Sequence, residues 1–334
     1  MESSQHGRGA VRKKILVFIA IGWIMLLIGD RIDELRLYQG ANLAMYTIGL
    51  ASIVLLTGYS GQVSLGNGAL MAVGAYSAAL SLNNLKFPVW ATFIIAIIAA
   101  AIFGMILGFA AARLSGPYLA GTTLALAVGL PAIANQFSIF GGEQGISFNI
   151  GMPPAKLGAD FLLYKWFFWI ALSLALICTW ILQNLLRSRY GRTWRAIRIN
   201  RTAAQLQGIN APRKQVLAFT FSAAVAGLAG AMLAMTISTV SPSAFPLTLS
   251  FSILTGAVIS GIATLPGVVI GAFTLVVVPE LVDALTSKAA LSEGVSANLP
   301  GFVISALLVL TILFAPNGPI ENSHRNRAKR ESKP

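Results

Sequence analysis

The chain has 334 residues, 56% hydrophobic and 10% charged, with a formal net charge of +13. Soluble domains carry about 25% charged residues, so this composition excludes a soluble globular protein and indicates repeated membrane crossing. Stretches 37–85, 87–112, 114–142 and 215–279 hold no charged residue, as expected where a charge at bilayer centre costs about 2.5–3.5 kcal/mol. The positive surplus lies between them and reports orientation, not a nucleic-acid surface.

A span needs about 20 apolar residues, which yields candidates at 14–29, 41–57, 68–83, 88–112, 117–136, 164–185, 215–238, 247–263, 265–285 and 299–316. The fold class is therefore all-α: a polytopic helix bundle of about 8–10 transmembrane helices. Residues 1–13 read as a basic N-terminal tail, 14–316 as the transmembrane domain and 317–334 as a second basic tail. Arg8, Arg12, Lys13 and Lys14 before the first apolar run imitate a signal peptide. The residues after that run, "DRIDELRLYQG", contain no small-x-small cleavage pattern, so a retained first helix is expected. Whether 247–263 crosses or re-enters is open.

Between the second and third candidates lies "GYSGQVSLGNG", residues 58–68, with four glycines interrupting a membrane pattern. Glycine costs about 1 kcal/mol in a helix interior, and backbone that leaves a helix at membrane depth survives only where protein or a water-filled cavity satisfies it. Broken helices mark substrate sites in several transporter folds. Gly58, Tyr59, Ser60, Gly61, Gln62, Ser64, Gly66 and Asn67 are the candidates for a translocation pathway. A turn between spans, or close packing through small residues, is the alternative.

Segment 139–151, "IFGGEQGISFNIG", reads as an outer loop with Gly141, Gly142 and Glu143 as candidates for a solute or gating contact. Residues 185–214 hold eight Lys/Arg and no acid, so this loop is cytoplasmic. Both tails are basic too, and six candidate spans precede the loop while four come after it; the even counts put both termini in the cytoplasm. Within 186–214, Asn200 or Thr202 caps a short helix, Gly208 ends it and Pro212 stops its resumption. Ala203 and Ala204 offer a smooth face for a partner protein.

Catalytic chemistry has little to work with. Cys178 is the single cysteine, and His6 and His324 lie in the tails, so neither an intramolecular disulfide nor histidine chemistry within the membrane is available. No metal-spaced ligands and no glycine-lysine phosphate loop occur; no cofactor or metal is expected, and the chain does not read as an enzyme. Glu280 and Asp283, three apart at an outer helix end, are the pair that a proton-coupled secondary transporter would use. A structural membrane protein is a further rival. A faint echo links "LSGPYLAGTTLAL" at 114–126 with "VSPSAFPLTLSFS" at 240–252.

Taken in order, "GYSGQVSLGNGALMAVGAYSAA", "GRTWRAIRINRTAAQLQGIN", "LAFTFSAAVAGLAGAML", "VSPSAF" and "FAPNG" resemble the permease subunits of branched-chain amino acid ABC importers, the LivH/LivM type, and most the LivM side. The similarity covers about residues 40–318, with departures at Asn67, Ser260 and the "FAPNGPI" tail. The resemblance implies an inner-membrane permease working with a second, LivH-like permease, two cytoplasmic ABC ATPases and an extracytoplasmic solute-binding protein, in a lipid bilayer and without nucleic acid. It implies that Arg195, Arg198, Ala203, Ala204 and Gly208 belong to the coupling loop seated on an ATPase, which would hydrolyse ATP on the permease's behalf. Relatives in this class carry urea or short amides, and more distant ones monosaccharides or nucleosides.

Overall fold

A computed structural model describes residues 33–114, 116–153, 162–262, 264–288 and 293–314. The expected first span at 14–29 and both basic tails lie outside the described residues. In chain order the helices are α1 (Glu34–Ile53), extended by a π-helical turn (Val54–Tyr59), α2 (Asn67–Asn83), α3 (Val89–Ala111), α4 (Pro117–Gln136), α5 (Leu163–Arg187), α6 (Arg189–Ile199), α7 (Arg201–Leu206), α8 (Ala211–Ile237), α9 (Leu247–Ser260), α10 (Val268–Lys288) and α11 (Glu293–Phe314). Two short strands, β1 (Ile146–Ser147) and β2 (Thr239–Val240), pair antiparallel with Ile146 opposite Val240.

Among the described residues seven helical stretches are long and apolar enough to cross a membrane, from Glu34–Tyr59 to Leu265–Thr286. The 17-residue α2 and the apolar stretch Leu299–Thr311 of α11 are shorter. The all-α polytopic bundle is the fold. Its centre is α1 and α8, whose apolar windows are 78% and 72% buried, whereas α4 is only 22% buried in its window.

Small residues let the central helices touch. A Cβ added at Gly74 of α2 would lie 2.3 Å from the carbonyl oxygen of Gly227 in α8, and one at Gly230 would lie 1.9 Å from the Met71 carbonyl. Backbone meets backbone there, which is how helices associate where lipid removes the hydrophobic drive between them. Gly104 of α3 likewise admits the Ala223 side chain of α8, whose Cβ lies 2.1 Å from where a Cβ at 104 would sit.

The arginine-rich helices α6 and α7 gather at one end of the bundle. Ser188 caps α6 by accepting from Tyr190 N at 3.2 Å, and Asn200 caps α7 by accepting from Ala203 N at 3.0 Å. Asn200, not Thr202, is thus the cap. Gly208 comes after α7 in the left-handed region at φ 81°. Pro212 does not act as a stop: it lies in the first turn of α8, capped by Asn210 accepting from Arg213 N at 3.1 Å. A proline's missing N–H costs nothing in a first turn, so α8 begins at residue 211, before the expected 215. Trp90 in the first turn of α3 and Trp166 near the start of α5 mark the opposite end.

Candidate functional site

The interruption after α1 is built by a widening of the helix. Ser60 N reaches back five residues to Leu55 O at 3.3 Å, the long spacing of a π turn, and Gln62 N six residues to Leu56 O at 3.2 Å. Such turns are rare and concentrate at functional sites. Gly61 then adopts φ 74°, a region side chains rarely enter. From there the chain runs back alongside α1. Asn67, first residue of α2, donates through Nδ2 to Ser52 Oγ at 2.8 Å. Ser52 lies seven residues before Tyr59, so α2 starts roughly 10 Å inside the end of α1, at 1.5 Å per residue.

Several backbone groups of this break find partners within the protein, as membrane depth favours. Leu65 N donates to Thr123 Oγ1 of α4 at 2.9 Å, and Gly68 N to Ser250 Oγ of α9 at 2.9 Å. Gly66 N donates to Ser64 Oγ at 3.3 Å, and Thr57 Oγ1 donates to Gln62 O at 3.0 Å. Ser222 Oγ of α8 donates to Ser52 O at 2.8 Å. Four spans thus meet around the break. Thr123 and Ser250 come from the two segments that echo each other in sequence, which was the single available hint of their roles; nothing local marks Ser52 or Ser222.

Of the eight candidates, Ser60, Gln62, Ser64 and Asn67 are 2%, 5%, 1% and 1% exposed, and their side chains are engaged in protein contacts rather than facing an open cavity. Gly58 is buried, Tyr59 half-buried, Gly61 exposed and Gly66 buried. Gln62 Nε2 donates to Ser60 Oγ at 2.7 Å and to Gln215 O at 3.1 Å, while the Oε1 atoms of Gln62 and Gln215 are buried without a donor among the described residues. That is the weak joint of an otherwise paired network.

A cavity of about 450 Å³ opens farther along α2, between α2, α3 and α4. Val73, Tyr76 and Leu80 line it with Phe103, Leu126 and Ile133, so it is almost wholly apolar. Phe140 of the far-end loop closes against Tyr76 edge-on at 5.1 Å.

At the basic end, Arg198 donates to the carbonyl of Gly58 and packs its Cγ beside Gly61, while Arg195 stacks on Tyr59 with its guanidinium 5.3 Å from the ring centre. Trp194 is fully buried and donates from Nε1 to Lys214 O at 2.8 Å, pinning α6 to the start of α8. Ala203 and Ala204 do not share one face. Ala203 is exposed, but Ala204 is 5% exposed and packs with Ile197 and Ala211. Neighbouring helical residues point about 100° apart, and the exposed apolar side chains here are Ile199 and Leu206, both 85% exposed.

The loop with Gly141, Gly142 and Glu143 is an ordered structure. Gly141, Gly142 and Gly145 all have φ between 57° and 77°, and a Cβ at Gly145 would fall 2.2 Å from the Val240 carbonyl. Glu143 is exposed. Glu280 accepts from Gln39 Nε2 of α1, and Asp283 is exposed. Among the described residues no His/Cys/Asp/Glu group could hold a metal ion.

Comparison with known proteins matches residues 37–312 to the family described as branched-chain amino acid transport system / permease component. The high-affinity branched-chain amino acid transport system permease protein LivM of Escherichia coli strain K12 is 29% identical over 91% of this chain and 73% of its own length. The corresponding LivH of Salmonella typhimurium is 30% identical over 57% of this chain and 54% of its own length. The probable LivM of the archaeon Methanocaldococcus jannaschii is 26% identical over 68% of each. No solved structure matches significantly.

Proposed function

The chain belongs to the branched-chain amino acid transport system permease family, and we propose that it is one permease subunit of an ATP-driven importer for branched-chain or closely related small amino acids. It is a multi-pass membrane protein of the transport class; its home in this reading is the inner membrane. The observation that carries the reading is the interruption at 58–68, bonded to α4, α8 and α9 within the bundle and held from the basic end by α6. A solute path built on helix ends and hydroxyls suits a zwitterion, whose ammonium and carboxylate need opposite ends of local dipoles and no buried counter-charge. Ser60, Gln62, Ser64 and Asn67 form the hinge of that path, and the apolar cavity beside α2 lies next to it.

The same reading supplies the partners. LivM and LivH relatives both match this one chain, which supports a paired permease. The little-buried α4, with open space beside Gly121, is the face offered to it. An ATPase would seat on the end of α6 and on α7 through Ile199, Ala203 and Leu206, and a solute-binding protein at the opposite end near Glu143.

Deletion of this chain alone from its host tests the assignment. Uptake of labelled leucine, isoleucine and valine is expected to fall to background. Unchanged uptake of all three, with loss of labelled urea or sugar uptake, would transfer the permease to another solute. A tagged chain that purifies without any ATPase would remove the ATP-driven reading.

A further inference from the structure

Two arginines that flank Asn200 each sit on the carbonyl end of a different membrane helix. Arg198 of α6 donates to Gly58 O, at the C-terminal end of the π turn that finishes α1. Arg201, first residue of α7, donates from Nη2 to Ala112 O at 3.3 Å, the C-cap of α3. A helix C-terminus carries partial negative charge on its unpaired carbonyls, so a guanidinium there is held by charge as well as by hydrogen bonds. The first contact is reinforced by Arg195 over Tyr59 and by Gly61, whose missing side chain admits Arg198 against the backbone. Positive residues near a membrane are expected merely to set orientation; these two do something more specific.

We infer that Arg198 and Arg201 are a two-point linkage that transmits movement of α7 to the ends of α1 and α3, and so to the broken segment 60–66 and the wall of the apolar cavity. This rests on the importer reading above, in which α7 receives the ATPase. Several features fit a transmission role. Both arginines lie within two residues of Asn200, where α6 meets α7, so a tilt of α7 about that joint bears on both. The helix end held by Arg198 is the π turn from which 60–66 departs, where a change of one hydrogen-bond register moves the chain with little loss of pairing. The end held by Arg201 belongs to α3, which contributes Phe103 to the cavity. Trp194 pins the other side of α6 to α8, so a third contact fixes where this unit is held against the bundle.

The test uses the assembled importer in proteoliposomes, with labelled leucine and ATP hydrolysis measured together. Arg198→Gln and Arg201→Gln keep a side-chain donor but lose the charge. Each is expected to lower leucine moved per ATP hydrolysed by about fivefold or more, with the ATPase still bound, and Arg198→Lys and Arg201→Lys to restore much of the ratio. Arg213→Gln, an exposed arginine of the same loop, is expected to leave it unchanged. A ratio unchanged in both glutamine variants overturns the linkage. Should those variants fail to assemble, wild type decides: on nucleotide binding, amide exchange is expected to change together in α7, in 58–66 and in 110–114. Protection of α7 without change in the other two segments overturns it equally. A wild-type chain that captures no ATPase removes the importer reading and this role with it, whereas a working wild-type complex with unaffected variants removes the linkage alone.

Discussion

Thr122 and Thr123 are adjacent on α4, yet their hydroxyls have different duties. Thr123 is buried and accepts from Leu65 N of the broken segment, while Thr122 is exposed and donates only to Leu119 O of its own helix. Thr123→Val keeps the shape but strands the part-buried Leu65 N–H, a loss of about 1 kcal/mol. We expect it to lower the temperature at which the detergent-solubilised chain loses monodispersity and to weaken leucine uptake; Thr122→Val should do neither. Equal behaviour of the two would show that the 60–66 backbone is satisfied in some other way. Asn67 illustrates how far a residue can be understood without its neighbours. That a polar side chain interrupts the apolar pattern at 67 is plain from the sequence. That it donates to Ser52, one helix back, depends on the chain folding against itself.

At the scale of the element, α7 has six residues and two very different sides. Asn200, Gly208 and the small residues between them are legible as a capped short helix because capping is a local matter of side chain and nearby backbone. Which side faces outward is not local, since Ala204 is drawn inward by Ile197 and Ala211. Leu206→Asp should therefore release the ATPase in a pull-down while the chain stays monodisperse. Ala204→Asp should instead damage the chain itself, because it buries an unpaired carboxylate. The reverse pattern would mean that Ala204 faces the partner. Pro212 teaches the same lesson: the residue type announces a boundary, and only the cap at Asn210 shows on which side of it the helix lies.

Across the whole molecule, the bundle has a tightly joined centre and a loosely covered flank. Gly74 faces the Gly227 backbone at a distance no Cβ tolerates, whereas Gly121 on α4 has nothing within 4 Å. Gly74→Leu is expected to abolish the folded chain, seen as loss of the monodisperse peak. Gly121→Leu should leave that peak intact and reduce recovery of the second permease in co-purification. If Gly121→Leu pairs normally, the partner sits on another face.

The membrane class, the approximate places of the spans among the described residues, the break near residue 60 and the clustering of basic residues at 187–214 were all legible in the sequence alone. The physical reason is that the cost of placing a charge, a glycine or a proline in a bilayer-spanning helix is assigned residue by residue. Tertiary structure decided what the break is made of. Leu65 N meets a hydroxyl 58 residues away and Gly68 N one 182 residues away, and Arg201 reaches a carbonyl 89 residues back. Such pairings arise only when separate spans pack side by side, because a buried donor takes whichever acceptor the finished bundle brings within hydrogen-bond distance.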